Sequence, residues 1–342
     1  MSILLHVVYV CPKNRHVFAL PLDVFRKLCP RVVVREHNTM CWDLVGDKRW
    51  SSIFVVVFGH LAKQCGDDLR KLKMSNARFR GAVLVEHGTS HLKHYLVTEK
   101  RNDLLDLVLV CNRLQTAIHQ HLWPALRTAE TGLGYSHIIT QPLLTREQAC
   151  ARFDLDPAMP IVLIAPTWIP GKSRESYLAN LIPQIRDIPN HIYSGHSSDS
   201  GCAPPPGVNA AVHDRTLRFS ATAYLLPHAA MVISDTSSVM FEFLYFRRPI
   251  IQLLWTQYAN NPSTDWQLPA GLPTHAPVQL GVVFRLGVDS NLASVVQDTL
   301  AQPDTALRHG EQFRDCSGIR HNAHIRIAKA IQEFVAEGAC KK

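Results

Sequence analysis

Within the run Met231-Val232-Ile233-Ser234-Asp235-Thr236-Ser237-Ser238-Val239-Met240-Phe241-Glu242-Phe243-Leu244 the hydrophobic period changes from strand-like to helical, and few folds accommodate that change. Met231 to Ile233 is a short apolar run stopped at once by small polar residues, which reads as the end of a buried strand. From Val239 the apolar positions recur at helical spacing. Val239, Phe243 and Phe246 fall on one face with Met240 and Leu244 beside them, so the helix is buried nearly all round. Arg247-Arg248-Pro249 ends it, since cations suit the last turn of a helix dipole and proline forbids continuation. Ile250 to Trp255 then begins a second strand. Strand, tight turn, helix and strand in that order form a unit of a parallel α/β sheet.

The same grammar recurs upstream. Ile3 to Val10, Val32 to Val34, Ile53 to Phe58, Ala82 to Glu86 and Leu107 to Cys111 are continuous apolar runs of the kind expected for strands covered on both faces. Helices are expected at about Val17 to Cys29, Ala62 to Lys73, Leu92 to Arg101 and Leu114 to Leu122, with a sixth strand at His137 to Thr140. Gln141 to Pro160, carrying three prolines around a short helix from Arg146 to Phe153, reads as a domain junction. After it come strands at Ile161 to Ala165, His191 to Ser194 and Val208 to Val212. Helices follow at Arg174 to Arg186, Ser290 to Leu300 and Asn322 to Ala336. A chain of 342 residues suits two domains of ordinary size, here residues 1–145 and 155–342.

Apolar residues at 46% and charged residues at 19% describe a globular chain. Its nine cysteines form no C-x-x-C pair, which argues for free thiols in a reducing cytoplasm and against a disulfide framework. No apolar run reaches the roughly eighteen residues of a spanning helix, and Met1 to Val10 lacks a basic leader, so a first strand is expected there. A formal net charge of +8 suits nucleic acid, an anionic membrane face or phosphorylated substrates. No helix-turn-helix, zinc-finger or RNP pattern accompanies it, so nucleic acid is not the expected partner. Lys63, Arg70, Lys71, Lys73, Arg78 and Arg80 crowd one segment, a candidate face for an anionic membrane surface and equally the pattern of a solvated helix.

Free backbone N–H groups at the start of a helix, beside the hydroxyls of Thr236, Ser237 and Ser238, favour a phosphate. Glu242, one turn into an apolar helix, needs a partner, and a ribose diol is one. The same residues also serve as ordinary caps. His87 follows a strand directly and precedes Gly88, which places an imidazole that can accept a proton at the carboxyl edge of the first sheet, with Glu86 available to orient it. His87, His91 and His94, and likewise His119 and His121, do not follow a metal-binding helix spacing, and no metal is expected. Gly171-Lys172-Ser173 is no P-loop, because Pro166 stands where its first glycine belongs.

Ser234-Asp235-Thr236-Ser237-Ser238-Val239-Met240-Phe241-Glu242-Phe243 with Arg248-Pro249 is similar to the I-[ST]-D-x-S-S-x-x-[FW]-[DE]-F … [RK]-P signature of the CDP-glycerol glycerophosphotransferases, the teichoic-acid primases and polymerases. His87-Gly88-Thr89 with Lys93 resembles that family's W-H-G-T-P-x-K, and Ala165-Pro166-Thr167-Trp168 its A-P-T-[WY]. The resemblance implies two Rossmann-like domains facing each other across a cleft (GT-B), the last helix packing back on the first domain. It implies His87 as general base and His196 as a donor toward the diphosphate of a CDP-activated donor. Gly88, Thr89, Lys93, Thr167, Asp235, Thr236, Ser237, Ser238 and Glu242 are implied as binding residues. No cofactor is implied. The acceptor would be a hydroxyl of a cell-surface glycan or polymer, free or lipid-linked, and the enzyme cytoplasmic or peripheral on the inner face of the plasma membrane. Two departures stand out: Ser197 replaces the proline of the family's H-P, and Gly132 to His137 contains no Arg-Asn-Asp where the family reads G-x-P-R-N-D. The second keeps open a GT-B glycosyltransferase using a CMP- or UDP-activated sugar, or a UDP-sugar 2-epimerase-like enzyme. A basic protein that binds anionic polymer without turning it over is the remaining alternative.

Overall fold

Parallel strand pairs carry both halves of the chain, as runs apolar on both faces require. The computed structural model describes residues 3–8, 32–37, 53–58, 69–70, 73–74, 79–86, 88, 104–167, 172–195, 207–211, 220–235, 237–255 and 279–340. They divide into two compact units, one holding the first sheet and residues 318 onward, the other residues 138–317.

The first unit contains β1 (Ile3–Val8), β2 (Val32–His37), β3 (Ile53–Phe58), β4 (Phe79–Val85), β5 (Leu107–Val110) and β6 (Thr128–Glu130), in the order β2-β1-β3-β4-β5-β6. All neighbours are parallel, with Val83 opposite Leu107 and Val108 opposite Thr128. Helix α1 (Arg113–Leu122) follows β5, capped by Asn112, whose side chain accepts from Gln115 N. His137 to Thr140 is not the sixth strand. Residues Ser136–Thr140 form a short helix, α2, because Ser136 turns back to Leu133 through both its N–H (2.9 Å) and its hydroxyl (2.5 Å). The edge strand is instead Thr128–Glu130, half-buried and without an apolar run to mark it. The expected helices at Val17 to Cys29 and Leu92 to Arg101 lie outside the described residues. Of the basic segment, Leu69 is fully buried, Lys73 pairs with Asp106 at 3.3 Å, and Met74 is exposed.

The second unit contains α3 (Arg146–Phe153), β7 (Val162–Ile164), α4 (Lys172–Ile185), β8 (His191–Tyr193), α5 (Ala221–Leu225), β9 (Met231–Ser234), α6 (Val239–Phe243), β10 (Ile250–Trp255), β11 (Val282–Leu286), α7 (Leu292–Ala301) and α8 (Pro303–Gly310). Its sheet runs β11-β10-β9-β7-β8, again parallel. Alternate residues Val162, Ile164, Met231, Ile233, Ile251 and Leu253 pack with Leu181 and Ile185 of α4 and Val296 of α7 in one core. Leu163, Val232 and Ile250 on the intervening positions are buried too, as is every residue of α6. Of the strand expected at Val208 to Val212, the described residues 208–211 show a single bridge, between Tyr193 and Ala210, while Val212 lies outside the described residues. Strand β11, α8 and the 3-10 turn Glu311–Cys316 are elements the sequence reading did not foresee. Gly281 is one of their conditions: a Cβ there would sit 1.9 Å from Ile250 O, so only glycine lets the chain enter β11 so close to β10. Helix α9 (Ala323–Cys340) belongs to the first unit, where Phe334 packs over Gly81 of β4 and Arg127 pairs with Glu337.

At the amino edge of the second sheet, Arg146 and Arg248 stitch turns together through main-chain carbonyls, Arg146 on Pro157, Met159 and His228, Arg248 on Pro227 and Ala229. His228 Nε2 donates to Leu144 O at 2.9 Å. Burial pushes the His228 imidazole below its ordinary value, with Arg146 and Arg248 acting the same way and the Leu144 bond opposing them. A histidine whose folded-state value is depressed stabilises the fold above its unfolded value, near 6.5, and loses that contribution as pH falls through the lower native one. His228→Gln, which keeps a donor for Leu144, therefore flattens the fall in melting temperature below about pH 6.5 relative to the wild type; parallel curves for both proteins exclude this role.

Among the described residues no helix is long and apolar enough to cross a membrane, and Cys111, Cys150 and Cys316 are buried cysteines outside any disulfide.

Candidate functional site

In the second sheet the chain runs from β7 outward to β8, then returns to the other side of β7 for β9. That reversal opens a crevice outside the carboxyl ends of β7 and β9, the position at which open α/β sheets take ligands. The residues singled out by pattern meet there. Ala165 to Thr167 leave β7, and Asp235 to Ser238 leave β9.

The two segments are joined by side chains as well as by the sheet. Ala165 N donates to Ile233 O at 2.9 Å, the Ser234 hydroxyl donates to Ala165 O at 2.6 Å, and Thr167 N donates to Asp235 Oδ1 at 2.7 Å. Asp235 is buried, so a carboxylate at this position is sustained by charge-assisted donors such as that amide. Removing it strands a main-chain N–H at a cost of about 1–3 kcal/mol. Asp235→Ala is therefore expected to lower stability by about that amount in urea titration and to loosen the turn after β7, whereas Asp235→Asn, which retains an acceptor, loses less. Equal stability of the alanine variant and the wild type removes Asp235 from this role.

Beyond Asp235 the chain enters α6. Ser238 occupies the N-cap position with helical backbone angles and makes no side-chain cap bond. Its hydroxyl instead donates to Glu242 Oε1 at 3.0 Å. This is a partner for the buried Glu242 that the sequence reading did not name. Ser237 Oγ accepts from Val239 N at 3.5 Å, and a hydroxyl that accepts still has its proton to donate. Thr236 lies outside the described residues.

Strand β8 adds Ser194 at the same edge. Ser194 N donates to Ile164 O at 2.8 Å, and its hydroxyl meets Thr222 Oγ1 at 2.7 Å. Ser220 caps the short helix carrying Thr222. Ser194 could have been found from its place right after the short strand His191 to Tyr193; Thr222 has no local signal, since it reaches the edge only through the fold. His196, two residues beyond Ser194, lies outside the described residues.

In the first sheet β4 ends at Val85, and Glu86 and Gly88 follow it at the carboxyl edge, next to β5. Glu86 Oε1 lies 3.5 Å from His119 Nε2. Gly88 O accepts from Gln115 Nε2 at 2.6 Å. Gln115 and the pairing of Glu86 with His119 were not anticipated; both come from α1, about thirty residues downstream. His87, Thr89 and Lys93 lie outside the described residues. Among those described, no three His, Cys, Asp or Glu side chains gather in metal-ligating geometry.

No protein-family model matches the chain, and no curated protein matches it. Solved structures do. The chain is similar to the wall teichoic acid polymerase TagF, in a variant soaked with CDPG, with TM-score 0.64 and 14% identity over 99% of this chain and 90% of that one. It is similar to UDP-GlcNAc 2-epimerase from Neisseria meningitidis bound to UDP-GlcNAc, with TM-score 0.61 and 10% identity over 97% of this chain and 100% of that one. A glycosyltransferase from Rickettsia africae ESF-5 follows with TM-score 0.53 and 12% identity over 100% and 99%. At such identities the likeness is one of fold: the chain is an α/β protein of two Rossmann-like domains with GT-B neighbours.

Proposed function

We propose that the chain is a metal-independent transferase that moves glycerol phosphate, or a related polyol phosphate, from a CDP-activated donor to a hydroxyl of a cell-surface glycan or polymer. The junction at the second sheet's switch point supports the reading most directly. Thr167, Asp235, Ser237 and Ser238 converge there, and Ser237 keeps a hydroxyl proton to give. In this reading Thr236, Ser237 and nearby amides hold the diphosphate, and Ser238 with Glu242 faces the ribose. His87 takes the proton of the attacking hydroxyl as that oxygen bonds to the β-phosphorus and CMP departs with the electron pair of the broken bond. His196 donates toward the departing charge. Gly88, Thr89 and Lys93 complete the acceptor side. The protein would work in the cytoplasm, in solution or against the inner face of the plasma membrane.

The likeness to a UDP-GlcNAc 2-epimerase over that enzyme's whole length supports a second reading, turnover of a UDP- or CMP-activated sugar. Thermal-shift measurements with CDP-glycerol, CMP-sugars and UDP-sugars separate the two. A ligand at a hundredfold its Kd stabilises by about 2.7 kcal/mol. Stabilisation by CDP-glycerol, followed by CMP release with acceptor, is the expected result. Stabilisation by UDP-sugars alone selects the second reading, and no shift with any nucleotide rejects both.

A further inference from the structure

Helix α1 sends two buried polar side chains, one turn apart, toward the end of β4. Gln115 is fully buried and spends both halves of its amide: Oε1 accepts from Cys111 N at 2.6 Å and Nε2 donates to Gly88 O at 2.6 Å. An amide N–H can only donate and a carbonyl can only accept, so the orientation of this side chain is unambiguous. His119 is buried with its ring against Trp123 at 5.4 Å, and its Nε2 lies 3.5 Å from Glu86 Oε1. Two further bonds tie Glu86 to β5 and its turn, Glu86 N to Leu109 O at 2.9 Å and the Cys111 thiol to Glu86 O at 3.6 Å. Polar groups buried in an α/β core cost stability unless each finds a partner, and apolar residues would fill the same helix face without that requirement. Here two of the partners are Glu86 and Gly88, the residues immediately before and after position 87.

We infer that Gln115 and His119 are positioning residues for His87, holding from one helix the Glu86 side chain before it and the Gly88 main chain after it. The inference rests on the reading of His87 as the base. A residue between a strand end and a glycine has a backbone free to turn, and a misplacement of about 1 Å at a reacting group can cost on the order of 100-fold in rate. A clamp on Glu86 and Gly88 removes that freedom without itself touching substrate.

The test compares Gln115→Met and His119→Leu with His119→Gln, which keeps a donor for Glu86. Two positions are used because either substitution alone can cost folding. Each protein is read twice, by the ring resonance of His87, assigned through its loss in His87→Asn, and by steady-state kinetics with CDP-glycerol. In Gln115→Met and His119→Leu the His87 resonance broadens or moves and kcat falls by about 10–100-fold with KM for the donor unchanged, and His119→Gln recovers most of the loss. Folded variants with the wild-type resonance and wild-type kcat overturn the inference, as does a fall shared equally by kcat and donor affinity. A wild-type chain that transfers nothing counts against the transferase reading instead, and the resonance comparison still decides the positioning.

Discussion

Alanine at His87 is expected to lower turnover by about 10²–10⁴-fold while leaving donor affinity close to that of the wild type. The size follows from what a positioned base supplies in the proposed reaction, where the acceptor hydroxyl gives up its proton as it bonds to phosphorus and a neutral imidazole takes it. The nucleotide is expected to be held by other groups, the hydroxyls and amides after β9, so Kd for the donor reports on Ser237 and kcat on His87. Ser237→Ala therefore shows the opposite pattern, a raised KM with less effect on kcat. His87→Asn is the sharper control, since its amide can still hydrogen-bond and cannot act as a base at neutral pH. Steady-state CMP release from the three variants decides the matter. A His87→Ala enzyme with unimpaired kcat ends the assignment.

Much of the second domain is legible from hydrophobic period alone. Ile250–Trp255 is a strand with the expected bounds, and α4 and α7 fall within two residues of their expected starts. Those segments are buried on faces that set the pattern, so sequence and packing carry the same information. Thr128–Glu130 is different. It is a half-buried edge strand with no apolar residue larger than alanine, specified by parallel pairing with β5 and not by its own composition. Ile138 and Ile139 look like strand residues, yet the Ser136 turn onto Leu133 commits them to a helix. Tertiary pairing overrode local propensity in the first case, and a local turn overrode it in the second.

The candidate site divides the same way. The turn after β9 is readable because strand, small polar residues and helix are contiguous. Its tie to β7 through Thr167 N and Asp235, 68 residues apart, is not, and neither is the bond from Gln115 to Gly88. Ser238 does not cap the helix for a physical reason: its hydroxyl answers the buried carboxylate of Glu242, a demand stronger than that of an N-terminal amide. Pattern names the residues that face a ligand more readily than the residues that hold them.

Phe241→Ala is expected to destabilise the second domain by about 3–5 kcal/mol, the usual range for truncating a fully buried phenylalanine. Its ring is completely buried and meets Phe313 edge-on, centroids 6.4 Å apart at 78°, so the substitution removes both transfer energy and an aromatic pair. For a domain of this size the loss corresponds to a fall of about 6–20 °C in melting temperature. It also reaches the candidate site. Helix α6 is too short to persist by its own hydrogen bonds, and its five buried residues hold it in place. Phe241 ties it to the turn Glu311–Cys316 through Phe313. When that anchor goes, the main chain carrying Ser237 and Ser238 loses its fixed backbone before the sheet itself unfolds. The variant should accordingly show weakened CDP-glycerol stabilisation at temperatures where circular dichroism still reports a folded α/β protein, and Phe241→Leu, which keeps most of the apolar volume, should recover the larger part of both losses. A melting temperature unchanged within a degree or two in Phe241→Ala contradicts the packing argument, and a large fall with undiminished donor affinity separates the helix from the nucleotide.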